Sequence, residues 1–362
     1  MKDKALGAFI GLAVGDAIGA PVEFLKRDTF EPVTGMRAGG YFRLRAGDWT
    51  DDTAMALALA HSVLAKGDVD PRDIMDRFVD WIRNANYTHT NIGIGLGATV
   101  KRALQRYSND VPWNPFFGNP LAGSTEPEES GNGSIMRLAP VPIFFHDDIE
   151  MARAKSIEHS RTTHASNLVL TAVTTLSDII VNNIQGKGYQ CPMEIVSKSR
   201  DDIHSTGFVV HTLEAAQWAV GQTDNFKDAV LLAANLGVDA DTVAAVAGQI
   251  AGSLYGLSSI PTEWIEQLAW RDHLMDVATR LFERTVGEVP HPHKPRLVTC
   301  NNCETVHVLE GNVPPGRDPT KCSKCGNPTT NFRISAPGDY MNVTQFEPIL
   351  IPNGDDLTST SV

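Results

Sequence analysis

Cysteine is nearly missing from the first four-fifths of this 362-residue chain: Cys191 stands alone there, while Cys300, Cys303, Cys322 and Cys325 share the last fifth. A body with one cysteine excludes a disulfide scaffold and fits a reducing, cytoplasmic compartment. Long uninterrupted apolar runs are missing as well, and none reaches the roughly 18 residues of a transmembrane span. Net positive charge is the third absence. Lys and Arg number 31 against 43 Asp and Glu, a formal charge of −12. That argues against a general binder of nucleic acid or anionic membrane. It leaves room for a site built from carboxylates, the ligands that hard cations take. Strand-like alternation is scarce over residues 1–289, and no solenoid-type repeat is present.

Helical periodicity fills that space. Apolar residues recur at three- and four-residue spacing over 4–19, 51–66, 71–84, 92–106, 149–159, 165–182, 206–219, 225–235, 240–255 and 262–285, which predicts an all-α body. The first of these has signal-peptide features, with Lys2 and Lys4 ahead of an apolar stretch. Asp16 and the stripe Gly7, Gly11, Gly15, Gly19 interrupt it, and a packed core helix is the expectation. Segments 20–50 and 107–137 are rich in Pro and Gly and predict long ordered loops, which in compact domains usually carry function. Composition changes near residue 289. We expect a helical domain over 1–289, a small cysteine-bearing module over 290–335 and a polar, partly disordered tail over 336–362.

Two segments concentrate carboxylates at the start of an apolar helix. One is Asp48-Trp49-Thr50-Asp51-Asp52-Thr53; the other is Asp239-Ala240-Asp241-Thr242. Such oxygens can cap the free N–H groups of the first helical turn. Alternatively, crowded carboxylates are neutralised by a cation, and Mg²⁺, Mn²⁺ or Ca²⁺ suit carboxylate and hydroxyl ligands. Spacing leaves both readings open. Around Ser130 to Arg137, glycines allow close approach of backbone to a ligand and the N–H groups could hold a phosphate, although Gly-Asn-Gly also makes ordinary turns. His164, ahead of another apolar helix, reads on its own as a structural hydrogen-bonder.

Five ordered motifs resemble the ADP-ribosylglycohydrolase family: GAFIGLAVGDAIGAPVEF at 7–24, WTDDT at 49–53, GNGSIMR at 131–137, THAS at 163–166 and DADTVAAVAG at 239–248. The resemblance covers roughly residues 4–285. It implies a compact all-helical fold and hydrolysis of the glycosidic bond between ADP-ribose and an acceptor such as a protein arginine. It implies two Mg²⁺ or Mn²⁺ ions on Thr50, Asp51, Asp52, Asp239, Asp241 and Thr242, with Glu23 positioning or activating water. It also implies substrate contacts from Asn91, Gly131, Asn132, Gly133, Ser134, Ile135, Met136, Arg137 and His164. Two departures stand out. Asn91 replaces an Asp that acts near the ribose in many relatives, which leaves a silent ADP-ribose-binding module as the alternative. Val238 replaces a common Gly.

The tail carries Cys300-x-x-Cys303 and Cys322-x-x-Cys325, the C-x₂-C-x₁₈-C-x₂-C spacing of a tetrahedral structural zinc site. We expect a zinc-ribbon-like module. Residues 291–333 hold six basic against three acidic side chains, which allows docking of a substrate protein.

Overall fold

The computed structural model describes residues 1–108 and 118–292, together with the backbone of four short strands further on. The chain divides into two compact units, Met1–Pro290 and His291–Val362.

The first unit is all-α. Its helices are α1 (Lys2–Gly19), α2 (Asp51–Lys66), α3 (Pro71–Asn84), α4 (Ala98–Ser108), α5 (Pro140–Phe144), α6 (Ile149–Ser160) and α7 (Asn167–Ile184). They continue with α8 (Met193–Val196), α9 (Val209–Gly221), α10 (Phe226–Ala234), α11 (Ala240–Tyr255), α12 (Thr262–Gln267) and α13 (Arg271–Glu283). Many boundaries follow elementary signals. Asp70 caps α3 by accepting from Arg72 and Asp73, with Pro71 at the first helical position. Asp148, Ser166 and Asn225 cap α6, α7 and α10 in the same way, and left-handed Gly67 closes α2.

α1 and α11 form the central antiparallel pair. A methyl group added at Gly7, Gly11, Gly15 or Gly19 would run into the backbone of Gly252, Gly248, Ala244 or Ala240 respectively. The four-residue glycine stripe thus lets two backbones touch over four turns. Every residue of α1 from Ala5 to Gly19 is buried. By length and composition α1 and α7 could each cross a membrane, but α1 is a core helix here, wholly enclosed by the domain. Burying each of its Leu and Ile side chains contributes about 1.5–3 kcal/mol. The antiparallel register also has a consequence for function: it brings the exit of α1, where Glu23 follows, to the entry of α11, where Asp239 and Asp241 stand.

Two stretches depart from the sequence expectation. The helix expected from residue 92 starts at Ala98, because left-handed Gly95 lies directly on the Asp51 carboxylate and holds residues 93–97 as a loop. The helix expected over 262–285 breaks at Leu268–Trp270. There Ala269 donates its N–H to Gly47 and accepts from the Trp49 indole at 3.0 Å each, and Trp270 turns left-handed.

The second unit contains β1 (Arg296–Cys300), β2 (Val306–Leu309), β3 (Phe332–Ile334) and β4 (Glu347–Ile349) in the order β3-β1-β2-β4. β1 pairs antiparallel with β2 and β3, and β2 pairs parallel with β4. Cys300 ends β1; Cys303, Cys322 and Cys325 lie outside the described residues.

Candidate functional site

The two acidic segments meet. Thr50 is the N-cap of α2 and Asp239 the N-cap of α11, yet neither side chain caps its own helix. The cap is supplied from elsewhere. Asp16, fully buried in α1, accepts the N–H groups of Thr50 and Thr53 at 2.9 and 3.0 Å and both hydroxyls at 2.8 and 2.7 Å. This crossing cap frees Asp51 and Asp52 to face inward. At the N-cap positions themselves, neither Thr50 nor Asp239 caps its helix.

One ligand atom each from Asp51, Asp52 and Asp241 lies within 4.8 Å of the others, and the same holds for Glu23, Asp239 and Asp241. The two groups share Asp241. Both Asp52 oxygens, Asp241 Oδ1 and Glu23 Oε2 are buried without a hydrogen-bond partner. Buried polar atoms are ordinarily satisfied, and here the unsatisfied ones are all carboxylate oxygens aimed at one another. Burial foremost, and then the neighbouring acids, raise the pKa of each. Glu23 is pushed up to about 10 by burial, Asp241, Asp239 and Asp16. Asp51, Asp52 and Asp241 stand well above the ordinary carboxyl range. Burial lifts Asp239 to about 6, against the hydrogen bond that Asn132 donates to it at 2.5 Å. An oxygen-only donor set of uncompensated acids fits hard divalent cations, with Thr50 and Thr242 buried beside it.

The loops that carry these acids are fastened together. Phe24 N–H donates to Val238 O and Val238 N–H to Leu25 O, both at 2.7 Å. The exchange forces Phe24 and Val238 into left-handed backbone at φ 67° and 64°. For a β-branched residue that conformation is strained. The Gly-to-Val departure is thus tolerated, at a cost.

Above the acids opens a cavity of about 470 Å³, lined by Glu23, Asp51, Asp239, Asp241 and Thr242 at one end and by Gly131, Asn132, Gly133, Met136 and His164 elsewhere. Asn132 bridges Asp239 and Thr212 Oγ1. The structure places four expected substrate residues away from this wall. Ser134 is buried against Ser160, and Ile135 is in the core with its carbonyl on Gln249. Arg137 is fully buried, bonded to His159, Thr163 and Met55 and stacked 4.5 Å over Phe78. Asn91 is exposed. The 91–100 loop reaches the cavity further along, through Gly95, Leu96, Gly97, Ala98, Thr99 and Val100.

Several wall residues escaped the sequence reading. Phe24 and Phe42 line the mouth, where Tyr41 joins them in edge-on contacts. Gly207 overlies Asp239. Asp16 had a visible signal, a lone acid in an apolar helix. The aromatics of a Gly-rich loop had none.

The ADP-ribosylglycohydrolase family model matches residues 1–290. The chain is 41% identical to the ADP-ribosylarginine hydrolase Tri1 of Serratia proteamaculans (strain 568), over 77% of this chain and 79% of that protein. It is 33% identical to the ADP-ribosyl-[dinitrogen reductase] glycohydrolase of Rhodospirillum rubrum, over 74% of this chain and 91% of that protein. A solved structure described as an ADP-ribosylglycohydrolase-related protein complex superposes with a TM-score of 0.65 at 36% identity, covering 79% of this chain and 99% of that one. With its whole helical body matched and relatives at this identity, the chain belongs to the ADP-ribosylglycohydrolase family and is a hydrolase.

Proposed function

We propose that this hydrolase removes ADP-ribose from ADP-ribosylated arginine and that it does so with two divalent cations, Mg²⁺ or Mn²⁺, held by Thr50, Asp51, Asp52, Asp239, Asp241 and Thr242. The observation that carries this reading is the pair of three-carboxylate groups sharing Asp241 at the foot of the cavity. When bound, the cations supply a water of lowered pKa and hold ribose hydroxyls. Glycosidic cleavage passes through an oxocarbenium-like state, and the carboxylates of Glu23 and Asp51 face the space where that positive charge develops. With cations in place and its own proton displaced, Glu23 would take the proton of the attacking water; its Oε2 has no other partner. Gly131, Asn132, Gly133 and His164 hold the rest of the ADP-ribose. Arginine as the acceptor is supported by the relatives named ADP-ribosylarginine hydrolase, at 41% and 40% identity.

The binding-only alternative rested on Asn91; that Asn91 is exposed and is not among the residues lining the cavity supports the catalytic reading over it. We further propose a cytoplasmic protein with one structural Zn²⁺ on Cys300, Cys303, Cys322 and Cys325. The support is their spacing.

The test is release of ADP-ribose from ADP-ribosylated arginine with Mg²⁺, with Mn²⁺ and with chelator. Turnover in the presence of either ion, its loss on chelation, and its loss in Asp239→Ala and Asp241→Ala are expected. Undiminished turnover in chelator overturns the metal assignment.

A further inference from the structure

Arg137 and Thr163 lie behind the cavity, yet they decide which atom His164 presents to it. His164 is 1% exposed and lines the cavity. Its Nδ1 is 2.8 Å from Thr163 Oγ1, and the direction of that bond follows from a third group. Arg137 Nη2 donates to the same Oγ1 at 2.6 Å, and a guanidinium has donors only. Thr163 is fully buried. Among the described residues its hydroxyl proton has one acceptor in reach, His164 Nδ1, and a buried hydroxyl left without an acceptor is costly. Thr163 therefore donates, and Nδ1 is bare. Burial and the positive charges of Arg137, Arg106 and Arg102 push the His164 pKa down to about 3. A neutral ring has one proton, which must then sit on Nε2.

The Nε2 edge is open toward the cavity. A Cβ on Gly131 or Gly133 would stand 3.3 Å from Nε2, so the two glycines keep a ligand atom's approach clear. Among the described residues no hydrogen bond reaches Nε2. Arg137 itself is fixed from every edge: Nε donates to His159 Nε2 at 3.0 Å, Nη1 faces Met55 Sδ at 3.5 Å and the plane lies over Phe78. A fixed fork holds the hydroxyl, the hydroxyl holds the ring, and the ring offers one N–H.

We propose that Arg137 and Thr163 are positioning residues that lock His164 as an Nε2–H donor, and that this donor selects an acceptor oxygen on the diphosphate of the bound ligand. The ligand part rests on the reading of the cavity as an ADP-ribose site. A diphosphate is favoured at this end because the carboxylates of the Glu23, Asp239 and Asp241 end would repel it, while His164 and the Gly131 and Gly133 backbone line the wall here.

The test combines the ¹⁵N spectrum of the histidine side chains in the full chain with ADP-ribose binding by calorimetry. His164 is assigned by the signal lost in His164→Gln. In the wild type its Nδ1 is expected unprotonated and its Nε2 protonated; a proton on Nδ1 overturns the proposal. Thr163→Val removes the hydroxyl at nearly constant shape. It is expected to mix the tautomers and to weaken ADP-ribose binding about 10-fold, raising KM with little change in kcat. Thr163→Ser is expected to retain both properties. A Thr163→Val chain with wild-type tautomer and affinity, or a Thr163→Ser chain as impaired as Thr163→Val, overturns the relay. A wild-type chain that binds no ADP-ribose overturns the reading of the cavity, and the tautomer spectrum still decides the relay.

Discussion

At the scale of single residues, the site depends on side chains that fix the metal-binding acids without being among them. Asn132 holds Asp239 Oδ2 at 2.5 Å while its other contact fixes it to Thr212. Asn132→Ala leaves Asp239 free to rotate, and groups that orient ligand side chains are typically worth 10–100-fold in metal affinity. We expect Mn²⁺ affinity to fall by about 10–100-fold, read by titration calorimetry. Asp16 does the same for the other ligand loop. Asp16→Ala strands the N–H groups of the N-cap Thr50 and of Thr53 and should cost about 1–3 kcal/mol in urea unfolding, together with a loss of Mn²⁺ affinity. The acids themselves stood out in the sequence as carboxylates crowded ahead of two helices, but spacing left caps and cation ligands equally open, and the family motifs named them as ligands. The burial of Ser134, Ile135 and Arg137 was not legible, since the chain turns these three into the core once Gly133 has passed His164, while Met136 stays on the wall. Sequence order does not reveal that turn.

At the scale of elements, the antiparallel pairing of α1 with α11 builds the metal site. Gly15→Ala places a methyl against the Ala244 backbone, which cannot yield as a side chain would. We expect destabilisation of about 1–3 kcal/mol, read by urea unfolding, with Mn²⁺ affinity falling alongside. Val238→Gly should act in the opposite direction. Relief of left-handed strain at φ 64° is worth about 1 kcal/mol, and a lower melting temperature in this variant would contradict the strain argument. Periodicity located α2, α3 and α11 in the sequence to the residue, with Asp70-Pro71 marking the start of α3 and Gly67 the end of α2. Where tertiary contacts overrode propensity, the sequence misled. The Trp49 and Gly47 contacts split the last long helix, and Asp51 beneath Gly95 delayed the start of α4. The short α5 and α8, of five and four residues, are too brief to show a period.

At the scale of the whole molecule, the acidic cluster makes the helical unit dependent on pH and on metal. Its carboxyls have folded-state pKa values above their ordinary ones: Asp239 is raised to about 6 and Glu23 to about 10, and Asp51, Asp52 and Asp241 are also raised. Between the ordinary and folded values the folded chain holds more protons than the unfolded one. Stability of the metal-free protein is therefore fully present below about pH 4 as far as these groups are concerned. It is lost as pH rises through 6 and onward toward 10. Thermal melts in chelator from pH 5 to 9 should show a falling midpoint, and saturating Mn²⁺ should flatten or reverse the slope because binding displaces those protons. The family match stops at residue 290, where the second compact unit begins, so this behaviour belongs to the helical unit.

The most direct test of the shared-carboxylate centre is Mn²⁺ stoichiometry by electron paramagnetic resonance in the full chain and in single variants. Two ions per wild-type chain are expected, with one weakened in Asp52→Asn and both weakened in Asp241→Asn. Wild-type binding of two ions that survives in Asp241→Asn would contradict the account.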